Sequence, residues 1–107
     1  METVGKLIKV RNGYFVTIPV EVWRHWKSVL MEDVDIVSLN YDNGSNELVI
    51  YPRQILKQGL LRKVIKRGDT WIVTLPREIG SKWEKEGVIY LSKRYDEKLL
   101  KFTVTPV

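Results

Sequence analysis

KVRNGYFVTIPVE, Lys9 to Glu21, returns 57 residues later as KRGDTWIVTLPRE, Lys66 to Glu78. Both copies leave basic residues, cross a small polar turn, run through an alternating apolar segment and close on Pro-x-Glu. With Pro19 set on Pro76, the residues Lys6, Ile8, Lys9, Val16, Thr17, Glu21 and Trp26 also fall on identical partners. That gives eight identities over the 21 positions from 6 to 26. Further on, ELVIYP (Glu47–Pro52) matches LKFTVTP (Leu100–Pro106) in pattern at a slightly smaller offset. Self-similarity at a fixed period marks a repeat, so the chain reads as a diverged tandem duplication of a unit of about 50 residues.

Each unit has the same grammar. KLIKV (Lys6–Val10) and RKVIK (Arg62–Lys66) mix basic and β-branched residues, which suits a strand with one wet face. The turns Arg11–Gly13 and Arg67–Thr70 carry Gly with Asn or Asp, the residues that tolerate positive φ. In YFVTI (Tyr14–Ile18) and WIVTL (Trp71–Leu75), alternation sends Tyr14, Val16, Ile18, Trp71, Val73 and Leu75 inward and Thr17 and Thr74 outward. Pro19 and Pro76 suit a first helical turn, where no N–H is needed, and Glu21 and Glu78 face the positive end of the helix dipole. Val22, Trp23, Trp26, Val29 and Leu30 mark the first helix; Ile79 and Trp83 mark a shorter second one, weakened by Gly80 and Gly87. Asp35–Tyr41 and Glu47–Tyr51 flank DNGSN, a hairpin signal, and Val88–Tyr95 and Leu99–Thr105 repeat it around DEK. The expected order is β-β-α-β-β, twice.

The totals exclude several classes. The 107 residues fit one ordinary domain, and 44% hydrophobic content supplies a core. The absence of Cys removes disulfides and thiol chemistry, and a single His leaves little for a metal site. No metal and no cofactor are expected. No apolar run reaches bilayer length and no leader pattern opens the chain, so a cytoplasmic protein without membrane association is expected. A unit of this size buries little surface alone. Residues 1–53 and 54–107 are therefore expected to share one core, with Arg53–Gln58 as connector.

The net charge of +5 favours an anionic partner. It is unevenly placed: residues 1–53 carry six basic and seven acidic side chains, whereas residues 54–107 carry twelve and six. Lys57 to Arg67 alone holds five basic residues and no acid, leading straight into the second motif.

At these motifs the chain resembles the AbrB/MazE/SpoVT family. Its pattern is a basic strand, a Gly-containing turn, a VTIP or VTLP strand, Pro-x-Glu opening a short helix, and a hydrophobic hairpin. The resemblance covers residues 5–52 and 62–106. It implies a mainly β fold with two short helices, a swapped-hairpin β-barrel. The two units would form one pseudo-dimeric domain, each chain supplying both copies that a homodimer would otherwise provide.

The resemblance further implies binding of double-stranded DNA through the first strand, turn and helix start of each unit. In the first half that face comprises Lys9, Arg11, Asn12, Thr17 and Arg24. In the second it comprises Arg62, Lys63, Lys66, Arg67, Thr70, Thr74 and Arg77. Basic residues on a rigid platform meet phosphates and release counterions, while Arg, Asn or Thr at base edges add discrimination. Ser81 stands where Arg24 has its counterpart, and the Asp69 carboxylate repels phosphate, so the halves are expected to read DNA unequally.

Trp26, Trp83 and Trp71 read as core, Trp23 and Phe15 as core or interface, His25 as surface, and Glu21 and Glu78 as helix-start carboxylates. No nucleophile–base set or phosphate loop can be assembled, and an enzyme is not expected. The leading expectation is a transcriptional regulator. The alternatives are an antitoxin-like module with a protein partner and a non-specific nucleoid-type protein. The end at Val107, just past the last strand, counts against an antitoxin tail. Further self-association stays open.

Overall fold

The computed structural model describes residues 1–11 and 13–107. Its order is β1 (Glu2–Lys6), β2 (Ile8–Val10), β3 (Gly13–Ile18), α1 (Val20–Leu30), β4 (Ile36–Asp42), β5 (Glu47–Pro52), β6 (Leu60–Arg67), β7 (Thr70–Thr74), α2 (Arg77–Lys85), β8 (Tyr90–Asp96) and β9 (Lys101–Pro106). The protein is mainly β. Among the described residues, nine strands form one antiparallel sheet in the order β1-β8-β9-β5-β4-β6-β7-β3-β2. The outermost strands β1 and β2 are joined through Leu7, so the sheet is nearly closed into a barrel.

The expected first strand of the first half is therefore two pieces. Leu7 donates its N–H to the Ile89 carbonyl at 3.0 Å, and there the chain changes partner, from β8 to β3. Val64, 57 residues on, donates to the Asp35 carbonyl at 2.8 Å, and there β6 passes from β4 to β7.

Among the described residues, four of the eight strand pairings cross the repeat. The first strand of each half pairs with the third strand of the other: β1 with β8, and β6 with β4. The motif strands β3 and β7 lie side by side with Val16 opposite Val73, the same position of the two copies. Likewise β5 meets β9 with Val49 opposite Thr103. Each helix also packs on the hairpin of the other half. Trp26 of α1 donates its indole N–H to Leu100 O at 3.0 Å, and Trp83 of α2 donates to Asn46 Oδ1 at 2.8 Å. Both indoles are fully buried.

The prolines stand one residue earlier than expected. Pro19 and Pro76 have extended ψ and precede their helices, each carbonyl accepting the first helical hydrogen bonds. Val22 and Trp26 bury the inner face of α1, whereas Val29 is exposed. His25 is half-buried rather than on the surface: its Nδ1 lies 2.6 Å from the Tyr95 hydroxyl. The matching contact in the other half is Lys82 Nζ to Tyr41 Oη at 2.8 Å. No helix among the described residues is long and apolar enough to cross a membrane.

Candidate nucleic-acid interface

The strands β2, β3, β7 and β6 form a four-stranded platform carrying both sequence motifs. Directly opposed residues of neighbouring strands share a face. One face turns to the helices and carries Tyr14, Val16, Ile18 and Val73. The other carries the rows Ile8–Phe15–Thr74 and Ile65–Ile72–Thr17, with Arg67 beside Thr70 at one end.

This alternation divides the candidate residues. Lys9 and Lys66 lie at the rim of the helix-facing side, and Arg67, Thr17, Thr70 and Thr74 lie on the outward side. Lys63 and Arg62 sit further down β6, opposite Ile36 and Val37. Arg77 is exposed at the start of α2, and Arg11 is exposed in the first turn. Asn12 falls outside the described residues. Arg11 has φ +46°, the left-handed conformation that Gly68 holds in the second copy at φ +58°. The expected glycine, Gly13, is instead the first residue of β3.

The two rims differ chemically. In the first copy, Lys9 Nζ is 2.9 Å from Glu84 Oε2 on α2 and 5.8 Å from the Tyr14 ring centroid. The hydrogen bond to Glu84 raises the Lys9 pKa, and the same bond lowers that of Glu84. Tyr14 lies flat on Gly80, where a Cβ would come within 2.3 Å of its ring. In the second copy, the residue at Gly80's position is Trp23, which stacks on Trp71 at 4.1 Å with planes 7° apart. Lys66 lies over Trp71 at 5.2 Å and Lys27 over Trp23 at 5.4 Å. Lys27 occupies the position of Glu84, so Lys66 meets no carboxylate there. It lines a depression of about 430 Å³ with Val20, Trp23, Arg24, Asp69 and Trp71. Trp71, expected in the core, is half-buried, with one face of its ring covered by Trp23. Among the described residues, Trp23 Nε1 is buried without a hydrogen-bond partner.

The outward face is largely apolar. Ile8, Val10, Phe15, Thr17, Arg67, Thr70 and Ile72 line a shallow groove of about 240 Å³, with the Arg67 guanidinium 5.8 Å from the Phe15 centroid. Thr17 is not a free hydroxyl, because Lys93 of β8 donates to its Oγ1. Lys93 is only 4% exposed, and burial depresses its pKa. Among the described residues no carboxylate lies within ion-pair distance of it. Gly5 makes room for it, since a Cβ there would lie 2.7 Å from Lys93 Nζ. Sequence reading had no signal for Lys93, because its position in the other half holds an ordinary core residue, Leu39.

Among the described residues no cluster of three or more His, Cys, Asp or Glu is placed to hold a metal. No family model, curated protein or solved structure matches the chain.

Proposed function

We propose that the protein is a DNA-binding transcriptional regulator, built as a swapped-hairpin barrel of the AbrB/MazE/SpoVT type with both protomer equivalents in one chain. The observation that carries this reading is the pairing of β3 with β7 about Val16 and Val73. It brings two basic strand-turn motifs, 57 residues apart in sequence, onto one rigid platform. The exchange of first strands between halves supports the swapped arrangement. The excess of cations in residues 54–107 supports an anionic partner. The rim of Lys66 and Arg24 is the stronger phosphate contact, because Glu84 already neutralises Lys9.

The test is a titration of the protein against random duplex DNA and against the region upstream of its own gene, at two salt concentrations. Tighter binding to the upstream region, weakening steeply with salt, is the expected result. Equal affinity for both would reassign the protein to non-specific DNA coating. No binding to either would overturn the proposal.

A further inference from the structure

The side of β3 and β7 away from the helices is covered at one point and open at another. Lys93 reaches across from β8 to bond Thr17, whereas Phe15, Ile8 and Val10 stay partly exposed. With Ile72 as an almost fully buried floor, these residues line the groove of about 240 Å³. At about 30 Å³ for a water-sized group, it has room for about eight such groups. A site for drug-sized molecules is larger, so an occupant of this groove is small.

Two cations converge on the apolar lining, and among the described residues neither has a counter-ion. Arg67 starts from β6, yet its guanidinium lies 5.8 Å from the Phe15 ring centroid. Its neighbour Asp69 lines the separate depression beside Trp23, and no acidic residue lines the groove. Lys93 is 4% exposed and sits one hydroxyl beneath the floor, bonded to Thr17 Oγ1. Positive charge held against apolar surface without a partner is costly. An anion with an apolar body would relieve that charge and cover the exposed hydrocarbon together.

The arrangement occurs once. Val10 stands where Arg67 has its counterpart in the first copy, and Leu39 stands where Lys93 has its own. The equivalent place in the other half therefore lacks both charges.

We propose that this groove binds a small amphipathic carboxylate, one per chain. Its alkyl or aryl body packs on Phe15, Ile8, Val10 and Ile72, and its carboxylate meets the Arg67 guanidinium. The planar fork of an arginine matches a carboxylate through two parallel hydrogen bonds. Lys93 contributes a favourable field from below and makes no contact with the ligand. The inference goes beyond DNA binding and does not rest on it, because the protein alone suffices for the test.

The probes are butyrate, hexanoate and octanoate, titrated into the free protein and followed by amide NMR shifts. Hexylamine, of opposite charge, is the control. Affinity should rise about fourfold for each methylene from butyrate to hexanoate. It should flatten toward octanoate, which outgrows the groove. The shifts should saturate at one ligand per chain and centre on Phe15, Thr17 and Ile72, and hexylamine should cause none. R67Q, at an exposed position, should weaken hexanoate about tenfold through loss of a charge-assisted hydrogen bond. Its circular dichroism should match the parent's. No saturable shift with hexanoate, shifts centred elsewhere, an equal response to hexylamine, or full affinity in folded R67Q would each overturn the proposal.

Discussion

Trp26 and Trp83 hold equivalent places in the two helices, and each donates its indole N–H to the hairpin turn of the opposite half, at Leu100 O and Asn46 Oδ1. Edge-on contacts accompany both: Trp26 with Tyr95, and Trp83 with Tyr41, each at 6.4 Å. The turn residues Leu100 and Asn46 both have positive φ, 56° and 59°. The tryptophans therefore tie the helix of one half to the strands of the other.

Truncating either indole should be costly. W83A removes a fully buried side chain and is expected to lose about 3–5 kcal/mol in urea denaturation. W83F keeps much of the packing and orphans only the hydrogen bond, so a smaller loss is expected. Equal losses for the two variants would make the hydrogen bond, rather than packing, the main term.

The Lys9–Glu84 pair predicts a gain of function. E84Q leaves Lys9 charged and without a counter-charge on the exposed rim. DNA affinity should rise, and the slope of log K against log salt should steepen by about one phosphate contact. An unchanged slope in a salt titration would place Lys9 away from the DNA.

The same asymmetry grades the basic residues. Replacing Lys66 and Arg67 with Gln should weaken binding more than replacing Lys9 and Arg11, measured by fluorescence anisotropy on one duplex. If neither pair matters while both variants stay folded, the platform is not the interface.

Arg11 in a left-handed conformation carries strain of about 1 kcal/mol that Gly68 avoids. R11G is expected to melt higher than the parent while binding DNA less tightly. A lower melting temperature would show that the arginine side chain contributes to the fold.

Lys93 gives a pH prediction. Its folded-state pKa lies below the unfolded value of 10.5, with burial as the cause. Between those two values the unfolded chain binds more protons, so this group's contribution to stability increases with pH up to 10.5 and is a penalty at neutral pH. K93M should remove that dependence in denaturation curves taken across alkaline pH. At neutral pH it should also add about 1 kcal/mol, worth roughly 4–8 °C in a domain of this size.

Much of the architecture could be read from the residues because local signals agreed. Alternation marked β3 and β7, the NG-containing turn marked the β4–β5 hairpin, and the repeat supplied the second copy of each. What could not be read depends on partners distant in sequence. The break at Leu7 follows from its bond to Ile89, and nothing in KLIKV signals it. His25 faces Tyr95 only because the helix of one half lies on the hairpin of the other. Ile72 has outward parity yet is almost fully buried, since Ile65, Phe15 and Thr17 crowd around it. Within the candidate interface, the sequence pointed to the basic residues, but Glu84 lay outside the motif that nominated Lys9.

The exchange of first strands between the halves also bears on assembly. Separate chains carrying only one motif could combine like with like or unlike with unlike, in any ratio. Here each half completes its pairing with the other half of the same molecule, so the stoichiometry is fixed at one to one by the connector. Glu84 and Lys27, or Gly80 and Trp23, can then diverge at equivalent positions without ever meeting their own copies. The single chain makes heterodimer-like asymmetry heritable through one gene, with no need to select against the two symmetric pairings.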